Sequence, residues 1–86
     1  MFTGIIEEKG IVKGIRTKTN LLELAIAAKK VLKATNIGDS IAVDGICLTV
    51  VSRRNGSVTV EAMKETIAKT TIKFLKSGRE VNLERP

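Results

Sequence analysis

The chain has 86 residues, a length that supports one hydrophobic core, so residues 1–86 are expected to form a single domain. One cysteine and no histidine exclude an intrachain disulfide, a cysteine-cluster zinc site and every mechanism that relies on an imidazole. The net charge of +6 comes from basic residues scattered singly and in pairs, and the only aromatic residues are Phe2 and Phe74, so nucleic-acid binding is disfavoured while attraction of phosphate stays open.

A bent first strand is expected over residues 4–15. Two apolar pairs, Ile5-Ile6 and Ile11-Val12, are separated by the polar run Glu-Glu-Lys-Gly. Glycine inside a strand often marks a bulge or a bend, because it has no side chain to pack against the sheet. Gly10 is the predicted position of that irregularity.

Residues 21–34 admit two interpretations. The leucines, alanines, glutamate and lysines favour a helix, which Thr19 or Asn20 could cap. The alternation of Leu22, Leu24 and Ile26 is equally typical of one face of a strand, with a short helix only over residues 28–33. Periodicity alone leaves both interpretations open.

Three antiparallel strands are predicted in series in the middle of the chain. The first, Ser40–Val43, is followed by the turn signal Asp44-Gly45. Residues 46–51 and Ser57–Met63 are rich in β-branched residues and flank Asn55-Gly56. Because Asn-Gly readily adopts two positive φ angles, the last two strands are expected to form a hairpin with a two-residue type I′ turn.

The final third of the chain predicts one or two helical turns over residues 64–70 and an alternating last strand, Glu80–Glu84. Together with the earlier segments, this gives six strands and one or two short helices. A closed barrel leaves no strand edge unpaired. We therefore predict an all-β, six-stranded antiparallel Greek-key barrel. Its interior is filled by side chains, so a ligand must bind at the surface or between two copies.

Four segments of the chain carry a more specific signal: residues 1–8 (MFTGIIEE), 38–50 (GDSIAVDGICLTV), 63–66 (MKET) and 81–85 (VNLER). Together they resemble the amino-terminal lumazine-binding domain of riboflavin synthase and its non-catalytic relatives, the lumazine proteins. The resemblance spans the whole chain and implies a six-stranded Greek-key barrel in which residues 21–26 are a strand. The Gly-Gly-His segment at the start of the second barrel of that family is missing from this sequence.

The resemblance implies a binding site for riboflavin, FMN or 6,7-dimethyl-8-ribityllumazine, with no catalytic residue, no metal and no required cofactor. The implied ligand-binding residues are Gly4, Ile5, Ile6, Cys47, Leu48, Thr49, Glu61, Ala62, Met63, Lys64, Glu65 and Thr66, with Ser40 of second rank.

Each implied contact has a chemical reason. Gly4 allows close backbone approach, and Ile6 and Met63 offer apolar contact to a planar ring. The hydroxyls of Thr49 and Thr66 suit the ribityl chain, since a hydroxyl both donates and accepts. Glu61 is an acceptor for the ligand, and Lys64 is a donor.

Each of these residues also has a purely structural interpretation. Ile6, Leu48 and Met63 are residue types found in barrel cores, and threonines are common in strands and at helix starts. Cys47 is inert if it is buried, and Lys64 is a residue type that water usually solvates.

The resemblance to riboflavin synthase implies a cofactor-free dismutation, in which a four-carbon unit passes between two molecules of 6,7-dimethyl-8-ribityllumazine to give riboflavin and a pyrimidinedione, whereas one barrel holds one ligand. We therefore favour a single-domain storage or carrier protein that forms a homodimer or homotrimer. The alternative is the amino-terminal half of riboflavin synthase, and a third interpretation is a structural or nucleic-acid-associated barrel without a small ligand. We expect neither a signal peptide nor a membrane-spanning segment from this sequence, which favours the cytoplasm.

Overall fold

The chain folds into a closed antiparallel barrel of six strands, as the sequence predicts. The computed structural model describes residues 2–86, and Met1 of the first family motif lies outside the described residues. The strands are β1 (Glu8–Lys18), β2 (Leu21–Ala27), β3 (Ser40–Val43), β4 (Ile46–Arg54), β5 (Ser57–Met63) and β6 (Glu80–Glu84). One α-helix, α1 (Lys64–Lys69), and two 3₁₀ helices, Val31–Ala34 and Ile72–Phe74, complete the fold.

The strand order around the barrel is β1-β2-β5-β4-β3-β6, and β6 pairs with β1 to close it. Every neighbouring pair is antiparallel. The chain leaves β2, crosses to β3 beside β6, and returns through β4 to β5 beside β2, which is a Greek-key path. Closure explains how so short a chain avoids exposed strand edges.

The barrel interior is a continuous apolar core, because the strands alternate buried and accessible positions. On β2, Leu22, Leu24 and Ile26 are buried, and Val58 and Val60 face them from β5. Leu24 and Val60 are directly opposite each other and fully buried. Since side chains of this kind fill the interior, a ligand has to bind on the outside of the barrel.

The helical interpretation of residues 21–34 is wrong. Strand β2 occupies Leu21–Ala27, and helical structure begins only at Val31, as a 3₁₀ helix. Burial follows the period of two that a strand requires, and β2 pairs with β1 on one side and β5 on the other. These two ladders and the burial of three large side chains outweigh the helical propensity of the local residues.

Two details of the turns and strand ends differ from the predictions. At Asn55-Gly56 only the glycine has a positive φ, of 85°, so the turn is not type I′. A positive φ at the second turn position alone is the pattern of a type II turn, which also favours glycine there. In the preceding turn, Asp44 and Gly45 both have positive φ angles, of 50° and 81°.

The first strand begins later than predicted and bulges at a different place. It starts at Glu8, so residues 4–7 precede the barrel wall, and its register shifts between Val12 and Gly14. Gly10 pairs regularly with Val81, so it is not the bulge position, and its lack of a side chain matters for packing instead. A Cβ atom there would lie 2.7 Å from a methyl group of Ile26 and 2.7 Å from one of Leu83. Glycine is required because β1 packs closely over the core at this point.

The predicted strands over residues 40–43 and 80–84 and the helical segment after Met63 are confirmed. Within residues 2–86 no helix combines the length and the apolar character that crossing a membrane demands.

Candidate functional site

Two of the three predicted ligand-binding segments lie side by side on neighbouring strands. Thr49 of β4 is opposite Glu61 of β5 on one side and Ser40 of β3 on the other. Cys47 and Thr49 are exposed while Leu48 between them is buried, so the first two point outward. Side chains opposite each other on one face of a sheet are about 5 Å apart. Ser40, Thr49 and Glu61 therefore form one outward row.

The third segment continues from this row into α1. Met63, the last residue of β5, is opposite Leu21 and has 61% of its surface exposed. Lys64 and Glu65 in the first turn of α1 are exposed, and Thr66 is half-buried. An exposed methionine at the end of a strand provides an adaptable apolar surface next to polar side chains.

The first segment is attached to the barrel by a buried carboxylate on β6. One oxygen of Glu84 accepts hydrogen bonds from the backbone N–H of Thr3 at 2.7 Å and of Gly4 at 3.1 Å, and from the Thr3 hydroxyl at 3.1 Å. Gly4 has a φ of 85°, a conformation that favours glycine. Ile5 and Ile6 follow with 69% and 48% of their surfaces exposed.

Strand register brings this anchored segment to the same end of the barrel as the other two. Glu84 is opposite Ala42 on β3, and Ala42 is opposite Cys47 on β4. Adjacent strands are about 4.8 Å apart, so β6 and β4 are separated by roughly 10 Å at this level. All three segments therefore border one area of the outer surface, which we call the ledge: residues 4–6, 47–49 and 61–66.

A second contact between the two ends of the described chain supports the ledge. The Arg85 guanidinium donates to both carboxylate oxygens of Glu7, at 3.1 and 2.7 Å, and the Arg85 backbone N–H donates to the same carboxylate at 2.6 Å. These hydrogen bonds, chiefly the side-chain pair with Arg85, lower the pKa of Glu7 from 4.5 to about 2. The backbone N–H of Glu7 also donates to Leu83 at 2.9 Å.

The depressed pKa of Glu7 predicts a specific acid dependence. Its contribution to the free energy of unfolding is fully present above pH 4.5 and is lost as the pH falls through about 2. The Glu7→Gln variant should therefore be less stable than the native chain near neutral pH, and the gap should close progressively between pH 4.5 and 2. Urea unfolding of both proteins at several pH values measures this difference in the free energy of unfolding. Glu65→Gln, which removes an exposed carboxylate, is the control, and a gap that persists unchanged to pH 2 would contradict the prediction.

Not every predicted site residue offers its side chain to the ledge. Leu48 and Ala62 belong to the core cluster, so for Leu48 the structural interpretation applies to the side chain. Ile6 and Met63 are instead exposed, and so are Cys47 and Lys64. Cys47 is a free thiol. At Leu48 and Ala62, only the backbone remains as a possible contact.

The ledge carries a group of charges on its β2 side. Glu61 is opposite Glu23, and like charges at such a position repel. Lys18 offsets this repulsion by pairing with Glu23 at 3.2 Å. Glu61 forms no ion pair within residues 2–86 and is available as an acceptor. No group of three or more possible metal ligands occurs among the same residues.

Two hollows of the described surface lie outside the ledge residues. A wide one of about 610 Å³ covers the outer face of β1, β2, β5 and β4, with Arg16, Ser52, Arg54 and Thr59 in its lining. A second, of about 480 Å³, adjoins it at Arg54 and lies beside the Asn55-Gly56 turn. Glu23, which is opposite Glu61, lines the wide hollow, so that hollow borders the ledge, although no ledge residue lines either hollow.

Sequence reasoning missed the residues that anchor the chain start: Thr3, Glu7, Glu84 and Arg85. Their hydrogen bonds join positions about 80 residues apart, so no local pattern encodes them. The available signal was indirect, since the segment 81–85 counted as a family motif without a role for its carboxylate.

Comparison with known proteins gives a consistent result. The family model described as the lumazine binding domain matches residues 3–86. The riboflavin synthase of Bacillus amyloliquefaciens is 47% identical over 85 residues, which cover 99% of this chain and 40% of that protein. The riboflavin synthase of Bacillus subtilis is 45% identical with the same coverage. The chain therefore spans about two fifths of the length of these relatives.

Solved structures of a protein called LumP have the same fold. LumP complexed with riboflavin superposes with a TM-score of 0.91 at 32% identity, covering 99% of this chain and 46% of LumP. LumP complexed with 6,7-dimethyl-8-(1'-D-ribityl) lumazine gives a TM-score of 0.90 at 34% identity, covering 100% of this chain and 48% of LumP. LumP complexed with flavin mononucleotide gives 0.91 at 32% identity, covering 99% and 48%.

Proposed function

The chain belongs to the lumazine-binding domain family, and from this premise we propose that it binds riboflavin, FMN or 6,7-dimethyl-8-ribityllumazine on the ledge, as a storage or carrier protein. The observation that supports the site most strongly is the outward row of Ser40, Thr49 and Glu61 beside a chain start that Glu84 holds in place. LumP, whose structures contain these three ligands, shares the fold at more than 30% identity.

The chemistry of the ledge suits such a ligand. A flavin or lumazine has a flat apolar body, a pyrimidine edge with donors and acceptors, and a polyhydroxylated ribityl chain. Ile6 and Met63 offer exposed apolar surface for the ring, and the Thr49 and Thr66 hydroxyls suit the ribityl chain. Glu61 is free to accept a hydrogen bond from the ligand. We assign Ser40 a secondary role at the edge of the row.

A second candidate function is that of the amino-terminal half of riboflavin synthase. The 47% identity to a riboflavin synthase over nearly the whole chain favours it. Dismutation needs two lumazine molecules held face to face, and one ledge holds one of them. Conversion of 6,7-dimethyl-8-ribityllumazine to riboflavin by this chain alone would favour the enzyme, and binding without turnover would favour the carrier.

We further propose that the ledge is covered in a homodimer or homotrimer. Ile5, Ile6 and Met63 are exposed at 69%, 48% and 61% and lie at the same end of the barrel. A group of exposed apolar side chains of this kind is typical of an interface or a ligand-binding surface. We place the protein in the cytoplasm, because its single exposed cysteine has no partner for a disulfide.

The ledge assignment predicts that Thr49→Val weakens riboflavin binding about three- to tenfold, the value of one hydrogen bond. Fluorescence anisotropy of the flavin measures the affinity. The chain has neither Trp nor Tyr to quench an excited flavin, so bound riboflavin should stay fluorescent. Thr59→Val is the matched control, since Thr59 lies on β5 opposite Ala25 in the wide hollow. Equal losses in the two variants would argue against the ledge.

A further inference from the structure

The hollow beside the Asn55-Gly56 turn is lined by four basic side chains. We call it the basic groove, and its cationic residues are Lys29, Lys33, Arg53 and Arg54. Its volume is about 480 Å³, and none of its lining residues is acidic. Four positive charges around one hollow repel each other, since nearby like charges interact unfavourably even in a high-dielectric environment.

Hydrogen bonds to the backbone hold one of the four side chains, Arg53, without neutralising its charge. The Arg53 guanidinium donates two hydrogen bonds to the backbone oxygen of Leu32, at 2.9 and 2.6 Å, which leaves three of its five N–H groups free. Glu8, a nearby carboxylate, accepts the backbone N–H groups of Lys29 at 2.7 Å and Val31 at 3.0 Å. Glu8 thus binds the backbone at the edge of the groove.

The four basic side chains take no part in the ion pairs formed within residues 2–86. All four residues are exposed, so they are open to a ligand from solvent. Among the described residues, the basic groove therefore collects positive charge that other side chains leave uncompensated.

We propose that the basic groove binds an anion that carries two or more linked phosphate groups. Arginine and lysine are the side chains that recognise phosphate, arginine through paired donors and lysine as a point charge. Four cations match the charge of an oligophosphate better than that of a single phosphate. The lining includes no aromatic side chain, so nothing in it stacks on a nucleobase and recognition falls on the phosphates.

This inference is independent of the ledge. Along β4, the nearest residues of the two surfaces are Thr49 and Arg53, four positions apart, which is about 13 Å at 3.3 Å per residue. No residue of the ledge lines the basic groove. If the assignment of one site is wrong, the assignment of the other site still stands.

The test is a titration of the full chain with sodium tripolyphosphate, in which NMR chemical shifts of the backbone amides report binding. A titration with sodium sulfate at matched ionic strength is the reference. Tripolyphosphate should shift the amides of Lys29, Lys33 and Gly56, and sulfate should not. Arg54→Gln should weaken binding about tenfold, as expected for a charge-assisted hydrogen bond. Arg54→Lys should restore part of the affinity. Lys69→Gln, the same charge change at the end of α1, should alter it less than twofold.

Further titrations distinguish a nucleotide from an inorganic oligophosphate as the source of the phosphates. ATP should bind about as tightly as tripolyphosphate, and adenosine should not bind. Equal shifts with sulfate, or equal losses in Arg54→Gln and Lys69→Gln, would overturn the proposal. An RNA oligonucleotide whose affinity rises with length far beyond that of tripolyphosphate would also overturn it, by identifying a nucleic-acid surface. Urea unfolding of each variant, together with its riboflavin affinity, verifies that the fold and the ledge are intact.

Discussion

Replacing Glu84 by alanine is expected to lower riboflavin affinity roughly 30-fold or more and the free energy of unfolding by about 2–3 kcal/mol. The Glu84 carboxylate is 6% exposed and accepts hydrogen bonds from Thr3 and Gly4, so it orders the chain start before any ligand arrives. Without it, residues 4–6 must be ordered at the moment of binding. Fixing the backbone costs about 1–2 kcal/mol per residue, which is subtracted from the binding free energy.

The matched control for this prediction is Glu84→Gln. The glutamine side chain keeps the shape and one accepting oxygen but loses the charge, so its effects should lie between those of the native residue and alanine. Flavin anisotropy gives the affinity and urea unfolding gives the stability. If Glu84→Ala destabilised the chain but left riboflavin affinity unchanged, the chain start would have no part in the binding site.

Replacing Gly10 by alanine should destabilise the fold by about 1–3 kcal/mol, the usual cost of overpacking a core. The added methyl group would lie 2.7 Å from Ile26 Cγ2, 2.7 Å from Leu83 Cδ1 and 2.9 Å from the backbone oxygen of Ala27. The two side chains belong to opposite neighbours of β1, and the third contact is with backbone, which moves least. β1 would have to shift away from both β2 and β6.

Gly14→Ala provides the control for Gly10→Ala within the same strand. A Cβ atom at Gly14 meets nothing within 4 Å, so this change should alter the free energy of unfolding by no more than about 0.5 kcal/mol. Urea unfolding of the two variants side by side measures the difference. Similar midpoints for both would mean that β1 does not pack over the core as closely as described.

Elements with strong local signals were predictable from sequence. The β-branched runs on either side of Asn55-Gly56 gave the hairpin, and the alternating residues Glu80–Glu84 gave β6 with its observed bounds. The turn type was not predictable, because Asn-Gly also fits a turn in which only the glycine has a positive φ. Likewise, β2 became a strand through its partners β1 and β5, and residue composition alone favoured a helix.

The candidate site was likewise predictable only in part from the sequence. The four family motifs predicted which segments to consider, and strand register then explains how Thr49 and Glu61 become neighbours. The anchoring of Thr3 and Gly4 by Glu84, and of Glu7 by Arg85, spans almost the full sequence. Such contacts depend on barrel closure, which places β6 beside β1, and no local rule connects the two ends of the chain beforehand.

The most direct measurement is a backbone amide map of the ¹⁵N-labelled chain as riboflavin is added. The account predicts that the largest shifts occur together at three separate stretches of sequence, residues 4–6, 47–49 and 61–66, with little change at Asn55 and Gly56. Shifts centred on the wide hollow around Arg16 and Thr59, with the residues near Gly4 unaffected, would contradict it.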